Sequence, residues 1–92
     1  MSRMSAIGII ETKGFSASVE ALDTLLKSAD VRFLKSEKIG SGLVSVFVQG
    51  EVGAVTAAVE AGAQAAGCIG EVLAVHVIAR PHDDLAKLLL KK

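Results

Sequence analysis

The chain has 92 residues, ten basic against ten acidic, is 51% hydrophobic, and has a mean hydropathy of +0.52. That length holds one small domain that is more apolar than it can readily bury alone, so self-association is expected. Balanced charge, and three phenylalanines with no tyrosine or tryptophan, exclude the cationic stripe and stacking rings of a nucleic-acid binder. Glu51, Glu60 and Gln64 interrupt the richest apolar segment before it reaches the roughly 18 residues of a membrane span. Met1-Ser2-Arg3-Met4-Ser5 lacks signal-peptide architecture, so a cytoplasmic location is expected. Cys68 is the sole cysteine and allows no intramolecular disulfide; within Ala65-Ala66-Gly67-Cys68-Ile69 it reads as a small packed thiol.

Six elements follow in chain order. Residues 6–11 form a mostly buried strand, and Lys13-Gly14 punctuates the step to a helix over about 15–29. In that helix Phe15, Val19, Leu22, Leu26 and Ala29 recur at three- and four-residue intervals, which predicts one apolar stripe packed on a sheet. Strands are expected at 31–39 and 43–48, the second with Val44, Val46 and Val48 on one face and Leu43 and Phe47 on the other. A sheet apolar on both sides needs cover on both, and a partner chain can supply part of it. A second helix over about 52–66, built from alanine, glycine and valine, suits close backbone packing and not catalysis. A fourth strand spans 72–79, and Arg80-Pro81-His82 is expected to stop the ladder. Asp83 then caps a short tail helix over about 83–91, with Leu85, Leu88 and Leu89 on one face and Lys91 and Lys92 at its negative end. The fold class is α+β, in the ferredoxin-like order β-α-β-β-α-β.

The segment Glu37-Lys38-Ile39-Gly40-Ser41-Gly42, set between two apolar runs, is the candidate functional loop. Its glycines permit positive φ, so a turn there presents backbone N–H groups and the Ser41 hydroxyl outward. Taken alone, Gly-Ser-Gly is a hairpin turn that names no ligand.

Four segments together resemble the hexameric shell proteins of bacterial microcompartments, which carry a single BMC domain. Ile9-Ile10-Glu11-Thr12-Lys13-Gly14 is similar to that family's first strand and turn, and Glu37 to Gly42 to its pore loop. Gly50-Glu51-Val52-Gly53-Ala54-Val55 is similar to the start of its second helix, and Val75-His76-Val77-Ile78-Ala79-Arg80-Pro81-His82 to its last strand and edge motif. The resemblance covers nearly all of residues 1–92, with a core over about 5–82. It implies cyclic homohexamers that tile edge to edge around encapsulated enzymes in a cytoplasmic microcompartment shell. It also implies a pore lined by Lys38, Ile39, Gly40, Ser41 and Gly42, through which small polar metabolites diffuse passively, with Lys38 a source of positive potential. Lys27, Asp30, Arg80, Pro81 and His82 take the positions of the edge where hexamers meet. Other shell proteins, encapsulated enzymes and their targeting peptides are candidate partners. Lys35-Ser36, Asp30, Gln49 and Ala79 depart from the common family pattern, so selectivity and sheet curvature do not transfer.

No catalytic site, metal site or cofactor is expected. Two histidines, His76 and His82, with one cysteine give no metal-ligand spacing and no Cys-His dyad, and structural roles are expected for both. No G-x-G-x-x-G or Walker loop occurs. The alternative function is a ferredoxin-like regulatory module that binds a metabolite at a subunit interface, which would stop at a dimer or trimer.

Overall fold

The computed structural model describes residues 4–28 and 30–81. The elements are β1 (Met4–Lys13), α1 (Phe15–Leu26), β2 (Val31–Gly40), β3 (Leu43–Glu51), α2 (Val52–Gly67) and β4 (Glu71–Pro81). The four strands form one sheet in the order β2-β3-β1-β4, with every neighbouring pair antiparallel. This is the expected ferredoxin-like arrangement. The tail segment 83–91 and His82 lie outside the described residues.

Two element ends differ from expectation. The last strand continues through Arg80 to Pro81, whose Cα partner is Met4; β4 is an edge strand, where a missing N–H need not break a rung. Conversely α1 stops at Leu26. The Lys27 and Ser28 N–H groups donate to the Asp23 and Leu25 carbonyls at 3.2 and 3.1 Å, closing the helix before the chain turns into β2.

The core lies between one face of the sheet and the two helices. Alternation along β1 and β3 sends Ala6, Ile10, Val46 and Val48 to that face, against Ala17, Ala21 and Leu25 of α1 and Val55, Ala58, Val59 and Ala66 of α2. Gly8 occupies the crossing of β1 and α2, where a Cβ would sit 2.5 Å from Val59 Cγ1 and 2.7 Å from Val55 Cγ1. Within α2 itself, Gly62 has a Cβ position only 2.9 Å from Ile10 Cδ1 and 3.3 Å from Leu25 Cγ, so a small residue there does bring the helix backbone close, as its composition predicts.

The apolar stripe predicted for α1 does not face the sheet. Phe15, Val19 and Leu26 are 62%, 46% and 57% exposed, whereas Ala17, Ser18, Ala21 and Leu25 are buried. The helix carries two apolar stripes. The one with smaller residues enters the core because α2 lies tight beside it, leaving the larger side chains outside, with Leu22 half-buried between. Cys68 is likewise exposed, contrary to its reading as a packed thiol, since α2 has ended at Gly67 and the thiol stands in the following turn.

On the sheet face without helices, Ile7, Ile9, Phe47 and Ile78 form an apolar centre. Charged groups border it: Lys35 Nζ lies 4.9 Å from the Phe47 ring centroid and 3.2 Å from Glu37 Oε2, and His76 Nε2 is 3.5 Å from Glu11 Oε1. His76 is thus exposed at the sheet surface. Both edge strands carry register shifts, opposite Phe33/Lys35 and Lys38/Gly40 in β2 and at Glu11/Thr12 against β4. Such irregularities discourage uncontrolled edge pairing.

The two α1 stripes separate in a stability measurement. Leu25→Ala should lower unfolding free energy by about 2–5 kcal/mol at any protein concentration. Leu26→Ala should leave the subunit's own stability within about 0.5 kcal/mol and act only through a concentration-dependent assembly contribution. Urea unfolding across a hundredfold concentration range checks both.

Candidate functional site

The β2–β3 hairpin closes with Gly40 paired to Leu43, leaving Ser41 and Gly42 as a two-residue loop. Gly40, Ser41 and Gly42 have φ of 100°, 55° and 79°. Positive φ at both central residues defines a type I′ turn, whose twist matches the flanking strands. Ser41 is the one non-glycine with positive φ among the described residues. An added Cβ would meet nothing within 4 Å at Gly40 or Gly42, so these glycines are required by backbone conformation and not by space.

The loop is tied to the start of α1. The Gly14 N–H donates to the Gly42 carbonyl at 2.6 Å, and Gly14 itself has φ 98°. One residue on, the Phe15 ring lies 5.2 Å from Lys38 Nζ. Lys38 pairs with Val44 and therefore stands on the helix face of the sheet, whereas Glu37, paired with Ser45, stands on the other. The two charges next to the turn thus serve opposite sides of the hairpin. Sequence reasoning missed Gly14 and Phe15 as supports of the loop; Lys13-Gly14 was visible only as punctuation. Lys38, Ile39, Gly40, Ser41 and Gly42 are all exposed and contiguous at one end of the molecule.

The residues assigned to an edge gather at the other end. Ser5 pairs with both Glu51 and Arg80, and Gly50 pairs with Ala6 and Val31, so the starts of β1 and β2 and the ends of β3 and β4 share one end of the sheet. Lys27 and Asp30 precede β2 there, both exposed. Lys27 Nζ is 3.1 Å from Asp23 Oδ2, an exposed ion pair one helical turn apart, of small energetic weight. Arg80 and Pro81 arrive there in the backbone of β4, while His82 lies beyond the described residues. At about 3.3 Å per residue, ten-residue β2 separates the loop from this group by roughly the length of the molecule, whose longest extent is 41 Å.

Among the described residues no three His, Cys, Asp or Glu side chains gather in a way that could hold a metal ion, and no helix is long and apolar enough to cross a membrane.

Residues 6–81 match the BMC domain. The chain belongs to the BMC-domain family. It is 57% identical to the bacterial microcompartment shell protein PduA of Citrobacter freundii, over 97% of this chain and 96% of that protein. It is 52% identical to the carboxysome shell protein CcmK2 of Synechocystis sp., over 91% of this chain and 84% of that one. A solved microcompartment protein from Desulfitobacterium hafniense DCB superposes with a TM-score of 0.76 at 32% identity, over 95% of this chain. This chain spans about half, 48%, of that structure's length. Family membership decides between the two functional readings in favour of a structural shell protein over a regulatory module or an enzyme.

The loop's glycines are testable directly. Gly40→Ala or Gly42→Ala should each cost about 1–2 kcal/mol, because an L side chain is forced to positive φ without any packing clash. Lys38→Ala should cost at most about 0.5–1 kcal/mol, the worth of an exposed cation–π contact. Thermal unfolding of the three variants checks the order.

Proposed function

We propose that this chain is a shell subunit of a bacterial microcompartment that closes into a cyclic homohexamer, with the Lys38–Gly42 loops lining a pore on the six-fold axis and the Lys27, Asp30, Arg80, Pro81 and His82 end at the perimeter. The observation that carries the ring is a pair of unlike apolar strips on opposite flanks. One runs along α1 on the β2 side (Phe15, Val19, Leu26), where Phe15 meets Lys38. The other lies at the β4 edge and the turn before it (Ile69, Leu73, Val75, Val77).

Two different patches on opposite flanks suit a heterologous contact, which repeats head to tail and closes a ring when the rotation fits. Each large side chain is worth up to about 1.5–3 kcal/mol on full burial. These seven are 37–62% exposed, so about half of that value remains for each, and together they still reach the range of the roughly 4–15 kcal/mol entropic cost of association. The 57% identity to a microcompartment shell protein of nearly equal length supports the shell role of this reading. Assembly with other shell proteins follows from the family; encapsulated enzymes or their targeting peptides are the further partners of this reading.

Around a six-fold axis one turn becomes six. The constriction then consists of glycine backbone and serine hydroxyl, suited to small polar metabolites in passive transit. Six Lys38 ammonium groups on the helix side would raise the local potential at that mouth and attract anions.

Ser41→Leu should leave hexamers intact and cut small-polar-solute flux into assembled shells at least severalfold; unchanged flux would remove the pore role. Lys27→Glu and Arg80→Glu should give hexamers of unchanged native mass that no longer grow into sheets under electron microscopy. Sheets of ordinary extent from both would remove the edge assignment.

A further inference from the structure

The turn holds its three peptides unequally. The Gly40–Leu43 rung secures the first, and the Gly14 N–H secures the carbonyl of Gly42 at 2.6 Å. Between them, neither the Ser41 carbonyl nor the Gly42 N–H has a hydrogen-bond partner among the described residues, and both residues are exposed. This peptide is the one that can turn over while the rest of the hairpin stays in place. A half-turn of it converts type I′ into type II′, moving Gly42 to negative φ and exchanging the directions of its N–H and C=O.

Type II′ puts its first central residue in a region that favours glycine strongly, whereas type I′ needs the left-handed region, which a short polar residue tolerates more readily. Residue 41 is serine, held at φ 55°. We propose that Ser41 is a conformational lock: by favouring type I′ over type II′, it fixes which pole of the Ser41–Gly42 peptide the loop predominantly presents. The lock is local and stands on the turn geometry; its consequence for selectivity rests on the proposed pore. Six locked peptides would present one predominant ring of donors or of acceptors, and so discriminate between solutes that both donate and accept hydrogen bonds, such as acetamide, and solutes of similar size that only accept, such as dimethyl sulfoxide. The serine hydroxyl and the serine backbone then have separate roles, the second independent of side-chain chemistry.

The test uses assembled shells and hexamers of Ser41→Gly and Ser41→Asn. Asparagine takes the left-handed region of type I′ more readily than any other residue with a side chain, and so keeps the bias that glycine removes. High-resolution crystal structures should show Gly42 at positive φ throughout the parent and Ser41→Asn, and at negative φ in roughly a tenth or more of Ser41→Gly subunits. The acetamide-to-dimethyl-sulfoxide flux ratio of Ser41→Asn should stay within about twofold of the parent, while that of Ser41→Gly should shift by more. A Ser41→Gly loop with Gly42 at positive φ in every subunit would overturn the lock whatever the flux. Two turn conformers with an unchanged flux ratio would leave the lock standing and overturn its role in selectivity, which is the outcome that counts against the pore.

Discussion

Two helices on one face of a four-stranded sheet leave apolar surface that the chain has no further described element to cover. The core is efficient but thin. Gly8 and the alanines of α2 bring helix and sheet into close contact, and the buried side chains are mainly Ala, Val, Ile and Leu. That economy pushes the larger residues outward: Phe15, Val19 and Leu26 along α1, and Ile69, Leu73, Val75 and Val77 toward the β4 edge. The excess hydropathy of the composition is therefore not spread evenly. Seven of the ten large exposed apolar side chains among the described residues fall on those two flanks, with Phe33, Ile39 and Ile78 elsewhere, a distribution that favours a repeating contact between unlike surfaces over a two-fold dimer.

The same architecture sets the long axis of the subunit. Strands of nine to eleven residues place a tight hairpin at one end and the chain segments around Lys27 and Arg80 at the other. A wedge closing around an axis needs a narrow inner end whose groups tolerate crowding with their own copies. In the proposed ring Gly40, Ser41 and Gly42 would meet that need, with Lys38 set back on the helix side of the hairpin. The hairpin is also braced from within the subunit, through Gly14 and through Phe15 beneath Lys38, so its shape does not depend on a neighbour.

Element order and sheet class were legible in the sequence because alternation in the strands, the three-to-four periodicity of the helices and the glycine turns all agreed. The wrong face of α1 was chosen because periodicity detects an apolar stripe without saying what it meets. Large residues drew attention to Phe15, Val19 and Leu26, while the stripe that enters the core is the small one, Ala17, Ala21 and Leu25. Cys68 misled in a related way: small neighbours suggested packing, but Ala65 and Ala66 belong to the last turn of α2 and Cys68 stands exposed in the hydrogen-bonded turn that follows. The reach of β4 to Pro81 was hidden because a proline's effect depends on whether its strand is central or at an edge, which only the topology supplies. At the loop, Gly40-Ser41-Gly42 was visible as a motif. Its tether to Gly14 was not, since a hydrogen bond between residues 28 positions apart leaves no local mark.

The most direct measurement of the central claim is an electron cryomicroscopy structure of the purified, assembled protein. It should show a six-fold ring with the Ser41 loops of all subunits at the axis, Lys27 and Arg80 at the perimeter, and the α1 stripe of each subunit buried against the β4 edge of the next. A ring of other symmetry, or one with Ser41 away from the axis and Phe15, Val19 and Leu26 still exposed to solvent, would contradict it.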